Sequence, residues 1–357
     1  MEHTYRPEIL SWSNPADKAR FDSLVADHPS ITLFDTLESQ LRELIKVMRP
    51  AENPSTAEFA TYIAEHLNGV PLAAYGVWVY YPWSNRMVHT LAEEEFIRVR
   101  TNRNQNKITQ EEQDALSKKI VGIIGLSVGQ SIALTMAMER ACGTLRLADF
   151  DTVELSNLNR IRTGIHNLEV SKTLIAAREI AEIDPFIRIE LFNSGLTADN
   201  IEGFLLENGK LDILVEVCDG LEIKLTSRVK ARKHGIPVIM ETNDRCMVDI
   251  ERFDIEPDRA ILHGLVPQED IDKVSTLSGP ERLALILKLV DAEQLSSRMK
   301  QSFTEVGKTL RSWPQLASSV VLGGGIATEV ARRIMLEEDI QSGRRYFDVD
   351  LILPQIV

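Results

Sequence analysis

The sequence of 357 residues predicts an α/β protein: a Rossmann-like, mostly parallel sheet with helices on both faces, preceded by an N-terminal α+β module. Three observations predict this class. Strand-like and helix-like segments alternate from residue 118 to about 250, apolar residues make up 44% of the chain, and a glycine turn joins the first of these strands to its helix. Such alternation is typical of parallel strands connected by covering helices.

Residues 1–95 are predicted to form the N-terminal module. Helical periodicity is found in ADKARFDSLVADH, TLESQLRELIKVM and AEFATYIAEHL. The alternating run GVWVYYP, the turn WSN and the run RMVHTLA then indicate a hairpin. The isolated histidines of this module are not expected to be ligands.

Residues 96–357 are predicted to form the second domain, with a nucleotide-binding core at about 118–250 and a helical and strand extension at 251–357. The predicted strands of the core are KIVGIIG, GTLRLADFD, IRIELFN, DILVEVCD and PVIMETN, and helical patterns separate them. Right-handed crossovers place a ligand crevice at the carboxyl ends of such strands. In the extension, GPERLALILKLVDAEQLSSRMKQSF is predicted to be helical, and the glycine run 323–325 is predicted to mark close packing or a bend.

The turn GLSVGQSIA supplies three candidate cofactor-binding residues, Gly125, Ser127 and Gly129. It lacks the middle glycine of the G-x-G-x-x-G pattern, so by itself it fits a nucleotide site or a structural turn. Gly125 is expected to let the backbone approach a nucleotide. Ser127 either donates its hydroxyl to a phosphate or tightens the turn.

An acidic residue, Asp149, ends the second predicted strand of the core, where a ribose hydroxyl pair is held in this class of fold. That position fits either NAD or ATP. The continuation DFDTVELSNLNR adds Asn157 and Arg160, and Lys172 opens the next helix. An amide, a guanidinium and an ammonium converging on one crevice favour a triphosphate over a nicotinamide cofactor.

The segment DFDTVELSNLNR, together with the strand and glycine turn before it, resembles the superfamily of ThiF, MoeB and the ubiquitin-activating enzymes. These proteins use ATP to adenylate a carboxylate. The resemblance implies that Asp149 binds the ribose, with Asp151 beside it, and that phosphate contacts are made by Asn157, Arg160 and Lys172.

The family's magnesium-linked aspartate corresponds to Asp219 in EVCDG. The match is partial, because Glu216 stands where the family has its first aspartate and Gly220 where it has an asparagine. The segment RTNRNQNKITQ resembles the family's entry segment, whose arginine reaches the partner's site in a dimer. That arginine corresponds to Arg103.

The implied reaction is attack of a substrate carboxylate on the α-phosphorus of ATP, which gives an acyl-adenylate and pyrophosphate. Arg103, Arg160, Lys172 and Asp219 are the implied catalytic residues. ATP and Mg²⁺ are the expected cofactors, without zinc. The expected partners are a ubiquitin-like protein or peptide with a free C-terminal carboxylate and, in a homodimer, a second copy of the chain.

Composition excludes other classes. The net charge of −13 argues against nucleic acid as a partner. No window resembles a membrane span, so no membrane partner and a cytoplasmic location are expected. The three cysteines, Cys142, Cys218 and Cys246, form no disulfide or zinc pattern, and Cys246 alone is predicted near the mouth of the site.

Three alternatives stay open. The same fold could serve an NAD- or FAD-dependent oxidoreductase, since fold does not fix function. A catalytically inactive ATP-binding module would explain the altered turn and the missing asparagine after Asp219. Within the family, a tRNA-modifying dehydratase would activate a carboxylate on a tRNA base, although the acidic net charge disfavours it.

Overall fold

The structure, a computed structural model, describes residues 4–353. The chain forms two compact units. The first contains the residues up to Glu111 together with Arg178–Phe186, and the second contains Glu112–Ala177 and the residues from Ile187 onward. The predicted boundary between two domains at residues 95 and 96 stays a prediction.

The first unit contains a four-stranded sheet in the order β1-β3-β4-β2. β1 and β3 are antiparallel, as are β3 and β4, whereas β2 and β4 are parallel. The strands are β1 (Glu8–Leu10), β2 (Thr32–Asp35), β3 (Val77–Tyr81) and β4 (Arg86–Thr90). The predicted hairpin is confirmed as β3 and β4. The sequence patterns missed β1 and β2, which are only three and four residues long and too short to show an alternating pattern.

Helices α1 to α3 confirm the three helical segments predicted for the N-terminal module, and α4 follows the hairpin. They are α1 (Pro15–Asp27), α2 (Leu37–Met48), α3 (Thr56–Leu67) and α4 (Glu93–Arg100). The buried face of α2 carries Leu37, Leu41, Leu44 and Ile45, which pack with Phe59 of α3. Their spacing of three and four residues is the apolar stripe that a helix needs to cover a core.

The second unit contains a seven-stranded sheet in the order β11-β10-β9-β8-β5-β6-β7. The five strands β5 to β9 are parallel to one another, and β10 and β11 extend the sheet with antiparallel pairing. The strands are β5 (Ile120–Ile124), β6 (Thr144–Ala148), β7 (Arg188–Phe192), β8 (Ile213–Glu216), β9 (Val238–Thr242), β10 (Met247–Glu251) and β11 (Gly343–Tyr346). The predicted α/β class with a mostly parallel sheet is confirmed.

Helices cover both faces of this sheet. Gly122 of β5 lies against Phe204 of α8 (Ile201–Leu206), whereas the next residue, Ile123, lies against Gly129 at the start of α6 (Gly129–Glu139). Successive strand residues point to opposite faces, so these two helices lie on opposite sides of the sheet. The remaining helices are α5 (Gln110–Leu116), α6 (Gly129–Glu139), α7 (Lys172–Ile183), α8 (Ile201–Leu206), α9 (Leu221–Lys233), α10 (Gln268–Asp272), α11 (Gly279–Leu289), α12 (Ser297–Glu305), α13 (Ala317–Met335) and α14 (Val349–Ile352).

The C-terminal extension follows its prediction with one difference. The long segment predicted to be helical breaks into α11 and α12, with Asp291 between them at a φ of 52°. The glycine run lies within α13, and two of its glycines are in close contact. A side chain at Gly323 would meet the Glu241 carboxyl group, and one at Gly324 would meet Ser131 of α6. Close packing is therefore confirmed as the reason for the run.

None of the helices in the described range 4–353 is long and apolar enough to cross a membrane.

Candidate nucleotide site

The order of the parallel strands reverses between β5 and β8. The chain proceeds from β5 to β6 and β7 on one side, then returns to place β8 and β9 on the other side. In open α/β sheets a ligand crevice forms outside the carboxyl ends of the strands at this reversal. The glycine turn follows β5 and the segment Val217–Gly220 follows β8, so both lie at this crevice.

Gly125 occupies a backbone conformation that disfavours any other residue. Its φ is +89°, and an added Cβ would lie 2.8 Å from the backbone nitrogen of Cys218. The close approach that requires glycine is therefore to the segment after β8. This packing is one reason for glycine at position 125, and the expected approach of its backbone to a nucleotide stays a prediction. Gly129 also has a packing role, since its Cβ would meet Ile123.

Asp149 ties the glycine turn to the end of β6. The Leu126 N–H donates to Asp149 Oδ2 over 2.6 Å, and the Asp151 N–H donates to Asp149 Oδ1 over 2.8 Å. The Asp149 side chain is buried. An ionised carboxylate has about four lone-pair positions, so two backbone donors leave capacity for ribose hydroxyls.

Arg160 connects the loop after β6 to the glycine turn. Its Nε donates to Ser127 Oγ over 3.0 Å, and its Nη1 donates to Asn159 Oδ1 over 2.9 Å. Burial lowers the pKa of Arg160, while the charge of Asp219 opposes that effect. The Ser127 hydroxyl therefore accepts a hydrogen bond from the Arg160 guanidinium at the turn. The two roles expected from the sequence, a phosphate contact and a tighter turn, did not include this contact.

Lys172 begins α7 and is largely buried. Its Nζ donates to Asp151 Oδ2 over 2.7 Å, and its backbone N–H donates to the Asp151 carbonyl over 3.0 Å. Asn157 is buried in the loop after β6. Its Oδ1 accepts a hydrogen bond from the Glu154 N–H over 3.2 Å. The candidate residues thus form two connected groups, one through Asp149, Asp151 and Lys172, and one through Ser127 and Arg160.

Asp219 is exposed at the end of the segment that follows β8. Among residues 4–353, no group of three or more acidic, histidine or cysteine side chains could hold a metal ion by itself. Mg²⁺ in nucleotide sites is usually held by one or two carboxylates, the phosphates and water. A single exposed carboxylate beside Arg160 fits that mode, and the metal role of Asp219 stays a prediction.

Arg103 belongs to the first unit. It lies in a short 3₁₀ helix, Asn102–Asn104, and lines a cavity of about 630 Å³ with Arg86 and Arg100. Its predicted role concerns a partner's site and stays a prediction.

Glu216, which stands at the position of the family's first aspartate, is fully buried in an ion-pair network. It accepts from Lys224 Nζ at 2.8 Å and from Arg228, and Arg228 also donates to Glu251 over 2.7 Å. Its two cationic partners outweigh burial and hold the pKa of Glu216 at about 2. The spacing of Lys224 and Arg228 on one helix face was a signal that the sequence analysis did not use.

A second buried carboxylate, Glu241 near the end of β9, was missed by the sequence analysis. It is 3% exposed, and no group in the described part of the chain forms a hydrogen bond with either carboxyl oxygen. Burial raises the pKa of Glu241 to about 8. It lines a cavity of about 200 Å³ together with Asp219 and Val128 of the glycine-turn segment. The sequence does contain a signal for this buried carboxylate, because Glu241 is an acidic residue within the apolar run PVIMETN.

Cys246 is 4% exposed, and its thiol lies 3.6 Å from the Ser319 carbonyl oxygen. Burial raises the pKa of Cys246 to about 11. Little of this thiol is ionised near neutral pH, which disfavours it as a nucleophile. Cys142 is fully buried, and burial raises its pKa to about 12.

The ThiF family model matches residues 100–355 of this chain. A Mycobacterium tuberculosis protein described as uncharacterized is 42% identical over 348 residues, which cover 98% of this chain and 46% of that protein. Transfer RNA threonylcarbamoyladenosine dehydratase 2 of Saccharomyces cerevisiae is 31% identical over 148 residues, or 41% of this chain and 33% of that protein. Ubiquitin-like modifier-activating enzyme 5 of Gallus gallus is 30% identical over 124 residues, or 32% of this chain and 31% of that protein.

This chain spans less than half the length of each of these three relatives. Among solved structures, E. coli MccB with ATP aligns at a TM-score of 0.47 and 13% identity, over 87% of this chain and 88% of that chain.

Proposed function

The chain belongs to the ThiF family, and on that premise we propose that it uses ATP to adenylate a substrate carboxylate. The carboxylate oxygen attacks the α-phosphorus of ATP, the bond to the β-phosphate oxygen breaks, and pyrophosphate leaves with the electron pair. The carboxylate is already ionised at neutral pH, so no general base is needed. The work of the protein is to position two anions and neutralise their charge.

The observation that carries this proposal is the position of Arg160. Ser127 holds its guanidinium at the glycine turn, and Asp219 is close enough to influence its pKa. A cation and a candidate Mg²⁺ ligand therefore face the same crevice at the strand reversal. A triphosphate needs this combination, whereas hydride transfer to a nicotinamide does not.

Each residue has a defined part in the proposed reaction. Asp149 binds the ribose through its free lone pairs, and Lys172 turns from Asp151 to a phosphate oxygen. Asn157 holds the loop that carries Arg160. Mg²⁺, when bound at Asp219, would supply charge neutralisation on the phosphates.

The test is ATP–pyrophosphate exchange in the presence of candidate carboxylate substrates. Asp219→Ala is expected to lower the exchange rate by about 10² or more, because a charge-stabilising contact is lost. Asp258→Ala, which removes another exposed aspartate beyond the end of β10, is the matched control and should exchange like the wild type. Equal exchange by all three proteins with an active substrate would contradict the proposal.

We propose that the substrate carboxylate is the C-terminus of a ubiquitin-like protein or a peptide. The similarity to ubiquitin-like modifier-activating enzyme 5 supports this choice. Exchange should then require a free C-terminus, and a substrate with an amidated C-terminus should be inactive. Exchange that is independent of the terminal carboxylate would exclude this substrate class.

A second candidate is a tRNA-modifying dehydratase, favoured by the yeast relative of that name. Binding of tRNA distinguishes the two, because a tRNA enzyme should bind it with an affinity that falls steeply with salt. The net charge of −13 favours the protein or peptide substrate. Tight tRNA binding together with tRNA-stimulated ATP hydrolysis would reverse that preference.

We further propose that the active form is a homodimer in which Arg103 of each subunit contacts the phosphates in the other. Arg103→Ala and Asp219→Ala should each be inactive alone. A co-expressed mixture should regain roughly a quarter of wild-type exchange, because half the dimers are mixed and each mixed dimer has one complete site. No regain in a verified mixed dimer would place Arg103 outside the partner's site.

A further inference from the structure

Glu241 is a buried carboxylic acid at a cavity. Among residues 4–353, neither of its carboxyl oxygens has a hydrogen-bond partner, although the residue is only 3% exposed. The adjacent helix α13 makes room for it, because a side chain at Gly323 would occupy the space of the carboxyl group. An unsatisfied buried polar group costs free energy and is rare in native proteins. Its retention at a cavity suggests a ligand that completes its hydrogen bonds.

The cavity beside Glu241 is small and mostly apolar. Its volume is about 200 Å³. That volume limits the occupant to a body of about one large side chain, which is smaller than the usual pocket of about 300–1,000 Å³ for drug-sized ligands. The apolar wall comes from β9 and helices α9, α11 and α12 and the segment after them, and it includes Leu221, Met240, Ile286, Leu289, Phe303 and Trp313.

The charges at this cavity are predominantly negative. Asp219, Glu241 and Asp244 line it, and Lys224 is the cation among the lining residues. Lys224 is already neutralised, because its Nζ lies within 2.9 Å of both Glu216 carboxyl oxygens. Asp244 accepts from the Ser296 N–H and hydroxyl group. Cys218, which also lines the cavity, and Cys246, whose pKa Glu241 influences, are neutral thiols because burial raises the pKa of each.

We propose that this cavity binds an amine with a small apolar body, and that Glu241 accepts the hydrogen bonds of its ammonium group. A cation gains from the carboxylates of Asp219 and Asp244, and it displaces the proton of Glu241 and supplies that group's missing partner. A second anion would be repelled by the same groups, and a neutral apolar molecule would leave Glu241 unpaired.

The position next to Asp219 gives the amine a chemical role, which rests on the proposed adenylation. The amine is the acceptor of the acyl group. Glu241 takes one proton from the ammonium, and the free amine nitrogen attacks the acyl carbon of the adenylate. The C–N bond forms, the bond from the acyl carbon to the phosphate oxygen breaks, and AMP leaves with the electron pair. The second amine proton is lost to solvent, and the product is an amide.

Binding of phenethylamine to the full chain, measured by titration calorimetry at pH 7, tests the inference. The wild type is expected to bind it and to release close to one proton, detected by comparing buffers of different ionisation enthalpy. Release follows because Glu241, with a pKa raised to about 8, is mostly protonated before the ammonium arrives. The isosteric variant Glu241→Gln should bind at least about tenfold more weakly and release no proton.

Controls separate recognition from folding. Glu329→Gln, which changes an exposed glutamate of α13, should bind like the wild type. Val290→Phe, which fills the cavity and leaves Glu241 in place, should bind weakly. The neutral analogue 2-phenylethanol should bind at least about tenfold more weakly than the amine. No binding by the wild type, equal affinity in Glu241→Gln, or equal affinity of the alcohol would each overturn the inference.

This binding test needs neither ATP nor a carboxylate substrate, so its failure is distinct from failure of the proposed function. Pyrophosphate exchange without amine binding would retain adenylation and exclude the amine cavity. Amine binding with no nucleotide binding by the wild type would retain the cavity and contradict its role as acceptor site.

Discussion

Glu216 and Glu241 lie near the ends of the neighbouring strands β8 and β9, and both are buried, yet their environments are opposite. Glu216 has Lys224 and Arg228 as partners, which hold its pKa at about 2. Glu241 has no hydrogen-bond partner among the residues that the structure describes, and burial raises its pKa to about 8. Burial alone therefore does not define a functional carboxylate. The presence or absence of a compensating cation distinguishes a structural ion pair from a group available to a ligand.

The network around Glu216 extends into the antiparallel part of the sheet. Arg228 joins Glu216 to Glu251 of β10, and Asp249 on the same strand pairs with Arg344 of β11. This network connects α9 to three strands. Glu241, by contrast, faces a glycine and an apolar cavity. Substitutions in the Glu216 network are therefore expected to destabilise the fold. Substitution of Glu241 is expected to leave the fold stable when no ligand is bound.

The largest expected effect comes from breaking the Glu216 network. Arg228→Met leaves Glu216 and Glu251 without their shared cation, so the free energy of unfolding should fall by about 3–5 kcal/mol. Urea unfolding at pH 7 measures the loss. Lys233→Met on the same helix removes an exposed cation whose ion pair with Glu202 spans 3.7 Å, and it should cost less than about 1 kcal/mol. Equal losses would mean that the buried network is not what stabilises this region.

The two carboxylates should respond to pH in opposite directions. Glu241 is protonated in both states below its ordinary pKa of 4.5, and between pH 4.5 and about 8 only the unfolded chain releases the proton. The stability of the wild type relative to Glu241→Gln should therefore fall across that interval, by on the order of a few kcal/mol.

The contribution of Glu216 should instead be present above pH 4.5 and be lost as the pH falls toward 2. Urea unfolding of the wild type and of Glu241→Gln at several pH values tests the predicted pH dependence of the Glu241 contribution. A difference between the two proteins that does not change from pH 5 to pH 8 would contradict the unpaired state of Glu241.

Substitution of Gly323 in α13 tests whether this glycine makes room for the Glu241 carboxyl group. Gly323→Ala places a methyl group against the Glu241 carboxyl group and should destabilise the wild type by about 1–3 kcal/mol. In a Glu241→Ala background the same change should be neutral or gain up to about 1 kcal/mol of helix propensity. Gly325→Ala, where an added Cβ meets nothing within 4 Å, is the control. Equal effects of Gly323→Ala in both backgrounds would show that the two positions are not coupled.

The smallest expected effect is on the reactivity of Cys246. The negative charge of Glu241 is one of the causes that raise the pKa of this thiol. At pH 9, alkylation of Cys246 should be faster in Glu241→Gln than in the wild type, by less than about tenfold. Peptide mass spectrometry measures the rate, with the fully buried Cys142 as internal reference. A slower reaction in the variant would contradict this electrostatic contact.

Much of the fold followed from local patterns. Apolar runs separated by helical periodicity were sufficient to predict the parallel strands β5 to β9 and the helices between them. The short strands β1 and β2 and the antiparallel β10 and β11 were missed. β1, β2 and β11 pair with strands distant in the chain, whereas β10 folds back on the adjacent β9. For the site, the sequence predicted the glycine turn, Asp149 and Arg160 as candidates. It did not indicate that Gly125 packs against the Cys218 backbone or that Ser127 binds Arg160.

The sequence by itself determined the class of fold and the resemblance to ThiF-type enzymes, because strand periodicity and the DFDTVELSNLNR segment are local features. Only the tertiary structure decided which buried carboxylate is satisfied. ILVE and VIMET both end an apolar strand in or near a glutamate. Their difference arises from α9, which brings two cations to Glu216, and from α13, which offers Glu241 a glycine. The spacing of Lys224 and Arg228 indicates a cationic helix face, but only the packing of α9 against the sheet decides which carboxylate that face meets.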